Sequence, residues 1–277
     1  MKTKQTVANV FIVIFLTILT LVVLYPIVYV IASSVTPGRS MAHMPIIPFS
    51  DGVTLDHFRH LFQNTHYPIW FRNTFVVAAA TSFGTMVIAS IGAYAFSRFR
   101  FAMKKGIMLT MLALQVFPAI LGMTAIFIIL WRFNLLDNIW GLVLLYLAGN
   151  MPFNIWMMKS YMDTIPKSLD EAARIDGASN FRTFLTIIMP TAKPMITFMM
   201  LTTFTMPWMD YILPTIILRS PENQTLAIGL FSFVTDRSNN FTWFAAGSVL
   251  ITIPFVIFFI LGQKMLVTSF GAGAVKE

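Results

Sequence analysis

Residues 168–190 read SLDEAARIDGASNFRTFLTIIMP, a mostly polar island between two long apolar runs. Ser168 followed three residues later by Glu171 is a capping-box pattern. Asp170 and Glu171 fall in the first turn, where the helix dipole favours negative charge. Gly177 can take positive φ and end that helix. Ser179 then opens a second short helix running through Met189, and Pro190 closes it. The spacing therefore predicts helix, glycine turn, helix. On physics alone this is either an amphipathic helix pair on a membrane surface or a rigid element for a partner.

The flanking composition settles the solvent. Of 277 residues, 57% are hydrophobic and 11% charged, against about 25% charged in an ordinary soluble domain. A water-soluble globule could not cover itself with 19 basic and 11 acidic side chains, and the mean hydropathy of +0.76 agrees. A soluble enzyme is excluded, and the chain reads as an all-α membrane protein. Six stretches are long enough to cross a bilayer, at about 20 residues each: 10–34, 73–97, 107–131, 139–158, 194–218 and 243–266. The apolar body of the first, from Val7 to Ala32, exceeds the roughly 7–15 residues of a signal peptide and is expected to remain as a span.

The net charge of +8 would suggest nucleic acid in a soluble protein. Here it fits cytoplasmic loops. With both termini inside, the inner face holds 13 basic residues (Lys2, Lys4, Arg98, Arg100, Lys104, Lys105, Lys159, Lys167, Arg174, Arg182, Lys193, Lys264, Lys276) against 6 outside (Arg39, Arg59, Arg72, Arg132, Arg219, Arg237). No cysteine is present, which excludes disulfides and thiolate metal sites. The inner loop 159–193 and the outer loop 35–72 are the longest connections. In the outer loop Thr54 can cap a short helix reaching Asn64. Ala80, Gly84, Ala89, Ala93 and Ser97 form a small-residue stripe on the second span, which asks for a close helix partner.

Asp210 is the one acid expected inside a span, where it must face a cavity or a partner group. Pro207 and Pro214 loosen the backbone around it. Asp210 therefore reads as lining a translocation pathway or gate, with Trp208 and Tyr211 as stacking neighbours, or as a structural hydrogen bond to another span. His43, His57, His60 and His66 gather in the outer loop without a metal-ligand pattern, and are expected to be solvated.

The motif residues carry a resemblance. Glu171-Ala172-Ala173, three residues, Gly177, nine residues, then Ile187-Ile188-Met189-Pro190 resembles the EAA signature of ABC importer permeases, with Met189 where leucine is usual. The stretch Leu135-Leu136-Asp137-Asn138, the run Pro152 to Trp156, Ile165-Pro166, and Pro207 to Pro214 are similar to the carbohydrate-importing branch. The tail Gly271 to Lys276 is similar to that of the smaller permease subunit in maltose/maltodextrin importers. The resemblance implies a type I ABC importer permease (MetI-like) fold of six transmembrane helices in a single domain, residues 1–277, with a cytoplasmic coupling helix and a cytoplasmic tail 267–277. It implies that Glu171, Ala172, Ala173, Asp176, Gly177 and Pro190 engage an ATPase. The implied partners are a second permease subunit in a heterodimer, two ATPase subunits, an extracytoplasmic sugar-binding protein and membrane lipids, with no nucleic acid. ATP and Mg would sit on the ATPase chains, since no phosphate-binding G-x-x-x-x-G-K-[ST] loop occurs here. The implied location is a bacterial inner or plasma membrane. An autonomous secondary transporter would show paired intramembrane charges or a broken-helix repeat in both halves. An intramembrane enzyme would need a nucleophile–base pair, and neither pattern is found.

Overall fold

The structure, a computed structural model, describes residues 2–38, 40, 44–235 and 240–273. The described residues are 80% helical and contain no strand, as apolar surroundings demand of a chain whose backbone must satisfy itself. In order the helices are α1 (Lys2–Val35), α2 (Asp56–Asn64), α3 (Tyr67–Arg98), α4 (Lys104–Val116), α5 (Met123–Arg132) and α6 (Ile139–Thr164). The short α7 (Ser168–Ile175), α8 (Asn180–Thr183) and α9 (Met189–Thr191) precede α10 (Lys193–Met209), α11 (Ile212–Ile217), α12 (Leu226–Thr235) and α13 (Phe241–Gly273).

Four segments are long and apolar enough to cross a membrane unbroken: Asn9–Val35, Tyr67–Arg98, Ile139–Thr164 and Phe241–Leu261. They cover the predicted spans 10–34, 73–97 and 139–158, and 243–266 up to Leu261. The other two predicted spans are not continuous. The run 107–131 breaks after Val116, because Pro118 forces Phe117 into an extended backbone (ψ 124°) and cannot donate to Leu114. A 3₁₀ turn at Ala119–Gly122 then leads into α5. The run 194–218 breaks at Asp210 (ψ 118°), the residue whose carbonyl would have bonded the missing N–H of Pro214. The segment Asn180–Thr191 and α10 make a further bent pair, with 77° between them.

By packing, the chain divides into two units, 1–68 with 229–253 and 69–228 with 254–277. In the first, α1 is exposed along Asn9–Val28 and presents apolar side chains all round. The outer-loop histidines differ from expectation. His57 is buried, with Nε2 2.8 Å from the Thr36 carbonyl, and the His60 ring stacks on Trp243 at 3.9 Å. Neighbouring helix surfaces desolvate them, and a carbonyl replaces water for His57. His66 is exposed, and His43 lies outside the described residues. The short helix begins at Asp56 with Leu55, not Thr54, at the N-cap position; Thr54 sits one residue earlier, its Oγ1 accepting from the Asp56 N–H in a turn that leads into the helix.

In the second unit α6 is the axis. Leu142, Val143 and Tyr146 near its start join one buried cluster with Val77, Leu130 and Ile217. Met158 and Met162 near its end join another with Ala93, Phe184 and Ile188. The small-residue stripe on α3 finds its partner here: a Cβ on Gly84 would lie 2.7 Å from Leu147 Cδ2, and Ala89 and Ala93 are fully buried. At the other end of α6, a Cβ on Gly141 would meet the Leu135 carbonyl oxygen at 2.3 Å. Gly141→Ala is expected to destabilise the chain by about 1–3 kcal/mol through overpacking. Gly149→Ala, where a Cβ has open space, serves as the comparison. A thermal unfolding midpoint followed by tryptophan fluorescence should fall for the first substitution only.

Candidate functional site

The loop between α6 and α10 carries the motif. Its first helix, α7, does not start by a capping box. The backbone carbonyls of Pro166 and Lys167 take the N–H groups of Leu169 and Glu171, so Ser168 is already helical and caps nothing. The stop is as predicted in geometry. Gly177 has φ +79°, its N–H donates to Arg174 O at 3.0 Å, and the Ala178 N–H donates to Ala173 O at 2.9 Å. Those two bonds define a Schellman close of a helix. Open space surrounds a Cβ at Gly177, so the backbone conformation alone demands glycine there. Ser179 then accepts from the Arg182 N–H, and Arg174 donates to Asn180 Oδ1 at 3.1 Å across the turn.

The second loop helix runs further than predicted. It widens into a π turn at Phe184–Ile188 and reaches Thr191. Pro190 cannot donate to Thr186 and its ring crowds that carbonyl, which a wider turn relieves. Glu171, Ala172, Asp176, Gly177 and Pro190 are exposed, whereas Ala173 is buried. Two apolar side chains flank the glycine turn, Ile175 at 87% exposed and Phe181 at 66%. An exposed apolar pair among carboxylates, on a loop with fixed internal bonds, suits a protein partner.

The opposite side of α7 is tied down. Asp170 turns inward and its Oδ2 lies 2.9 Å from Arg98 Nε at the end of α3, in an ion pair whose side chains are 4% and 9% exposed. Arg98 also donates to the carbonyls of Met162 and Ile165, at 3.1 and 3.0 Å. Ser97 donates to Asp163, and Tyr94 to Asn180 O. In the sequence Asp170 is only a first-turn acid and Arg98 only an inner-face charge, so this contact was not foreseen. An arginine placed to face the orphan carbonyls of a neighbouring helix end is the signal that could have exposed it.

Of the three residues assigned to a pathway, one lines a cavity. Asp210 sits with Met123, Ile126, Tyr146, Asn150 and Leu213 around a hollow of about 620 Å³. Its carboxylate accepts from Tyr146 Oη at 2.9 Å and from the Leu213 N–H at 3.3 Å, closing the first turn of α11. Trp208 is 2% exposed among Phe71, Phe204 and Phe255. Tyr211 is half-buried against the cluster around Leu142.

The profile of a family described as binding-protein-dependent transport system inner membrane component matches residues 86–270. The chain belongs to that family. It is 38% identical over 263 residues to the maltodextrin transport system permease protein MdxG of Bacillus subtilis (strain 168), covering 95% of this chain and 94% of that one. It is equally 38% identical to the galactooligosaccharides permease GanQ of the same organism, covering 100% and 98%. To the maltose/maltodextrin permease MalG of Salmonella typhimurium it is 30% identical, covering 92% and 91%. Its fold is similar to a chain of a bacterial ABC transporter involved in import of the acidic polysaccharide alginate, with TM-score 0.81, 23% identity, and coverage of 94% and 97%.

This permease holds a second anchored loop at the other end of α6. Asp137, with φ +53°, accepts from the N–H groups of Arg219 (2.8 Å) and Ser220 (2.9 Å) and from the Ser220 hydroxyl. Asn223 donates back to the Asp137 carbonyl at 2.7 Å. From α3, Trp70 donates to Pro221 O, Asn73 to Glu222 O and Gln224 O, and Thr74 accepts from the Leu226 N–H. Burial pushes the Asp137 carboxyl up, but the bonds from Ser220 and Arg219 outweigh it and hold the pKa below 3.8. A depressed carboxylate contributes stability that is complete above its unfolded pKa and lost as pH falls through the folded one. Asp137→Asn is expected to cost about 1 kcal/mol at pH 7. The difference in unfolding midpoint between the two proteins should shrink only below the ordinary carboxylate pKa of 3.8.

Proposed function

We propose that this permease is a membrane subunit of an ATP-driven importer of maltodextrin-class oligosaccharides. It contributes half of the translocation path and receives the stroke of separate ATPase subunits through α7. The reading is carried by the exposed face of α7 with its Schellman close at Gly177, set in a chain 38% identical to a maltodextrin permease over nearly its whole length. In this reading Glu171, Ala172, Asp176, Gly177 and Pro190 meet the ATPase, Ala173 seats the helix, and Ile175 and Phe181 are the apolar anchors. Catalysis and the Mg–ATP site belong to the two ATPase chains. A second, different permease completes the path, and an extracytoplasmic binding protein delivers the sugar.

Six crossings follow if α4 with α5, and α10 with α11, each make one interrupted span beside α1, α3, α6 and α13. The 13-to-6 basic asymmetry supports cytoplasmic termini, with the tail 267–277 on the ATPase side. Asp210 would line the path from the hollow, with Trp208 and Tyr211 packed behind it. Equal identity to a galactooligosaccharide permease supports a second sugar class. Titrating the reconstituted complex and its binding protein with maltodextrins and with galactooligosaccharides decides between them.

Glu171→Ala and Gly177→Val are expected to insert normally, since neither lies in a span, and to lower sugar-stimulated ATP hydrolysis by at least about five-fold. Full stimulation in both would refute the docking assignment. Asp210→Leu should reach the membrane at normal levels, because removing a charge favours partitioning, yet slow uptake. Asp210→Asn should lie nearer the unsubstituted rate, since its amide oxygen can still accept from the Leu213 N–H while its NH2 group donates to the Tyr146 hydroxyl oxygen.

A further inference from the structure

We propose that the Arg98–Asp170 ion pair is a positioning contact that fixes α7 to the cytoplasmic end of α3, so that force applied to α7 moves α3 and α6 as one body. The proposal rests on the reading of α7 as the ATPase-facing helix. Its basis is the division of α7 into two sides. Glu171, Ala172, Ile175 and Asp176 face outward and are exposed. Asp170 and Ala173 face inward and are buried. A helix of eight residues with one buried alanine has little apolar area to hold it against a lateral push. A charged contact supplies what that area cannot.

Arg98 suits the task by geometry. Its Nε lies 2.9 Å from Asp170 Oδ2 of α7 in an ion pair that is not aligned as a hydrogen bond, while its two terminal nitrogens donate to Met162 O in the last turn of α6 and Ile165 O in the linker to α7. One planar guanidinium therefore joins α3, the end of α6 and α7. Lysine, a point charge on a flexible stem, cannot hold both carbonyls in one rigid plane while keeping its charge beside Asp170. Burial keeps solvent from screening the pair, and opening it would leave an uncompensated charge in an apolar setting. The closed pair is therefore favoured over a separated one, as a transmitting contact requires. Tyr94, one turn earlier on α3, donates to Asn180 O, so both halves of the loop hang from the last turns of the same helix.

Two measurements on the full complex in proteoliposomes test this. The chain has no cysteine, so with partner subunits freed of cysteine, spin labels at Arg100→Cys and Lys167→Cys, both exposed positions just beyond α3 and just before α7, report the α3–α7 separation. That separation should stay the same between the nucleotide-free and ATP-trapped states. A change of about 5 Å or more, one helical turn, would overturn the proposal. The second measurement is the ratio of sugar imported to ATP hydrolysed. Asp170→Asn and Arg98→Lys are expected to keep hydrolysis and lower this ratio at least about five-fold. An unchanged ratio, including a parallel loss of uptake and hydrolysis, would mean the pair is only structural. If a variant fails to assemble, the label distance in the unsubstituted pair decides. Failure of the wild-type complex to couple hydrolysis to sugar uptake would instead remove the proposed function, so the two failures are distinct.

Discussion

A backbone group in an apolar medium has no water to turn to, and most features of this permease follow from that constraint. Where a helix runs unbroken the problem solves itself. At several helix ends the chain brings a polar side chain to the loose backbone groups. Asp210 takes the Leu213 N–H at the start of α11. Asp137 takes two N–H groups beyond the end of α11. Arg98 takes two carbonyls where α6 ends, and Asn73 takes two more in the segment before α12. These four side chains are placed by this need, and their other roles are added to it.

That double use explains why the loops at the two ends of α6 are not loose connectors. At one end the segment 218–226 is held by Asp137 and by Trp70, Asn73 and Thr74 near the start of α3. At the other, α7 is held by Arg98 and the second loop helix by Tyr94. α3 contributes to both, from its first turns and from its last. The same helix carries the small-residue stripe that lets it lie close along α6. A single pair of packed helices thus fixes the geometry of both polar loops of the second unit.

The readable parts of the sequence were those set by local rules. Long apolar runs without interruption marked α1, α3, α6 and α13. The glycine after α7 was legible because few other residues take that backbone. Composition misled where a proline interrupts an apolar run, since hydropathy averages across Pro118 and Pro214 as though the helix continued. The capping box at Ser168 was plausible locally, but preceding carbonyls had already begun the helix. Contacts between residues far apart in sequence left no local trace: Arg98 with Asp170, Asp137 with Ser220, and His57 with Thr36. The small-residue stripe fell between these cases, announcing a partner without saying which.

The two interruptions have a mechanical meaning. The hollow beside Asp210 is walled on one side by Met123 and Ile126, just after the break at Pro118, and on the other by Met206, Ile212 and Leu213, which straddle the break at Asp210. Bending an intact helix stretches or severs its own ladder. Bending at these two places spares the backbone ladder, because the proline rungs are already missing. The compliance of the membrane part of the chain is therefore concentrated on either side of the hollow beside Asp210. The volume of that void can change while the rest of the bundle keeps its shape.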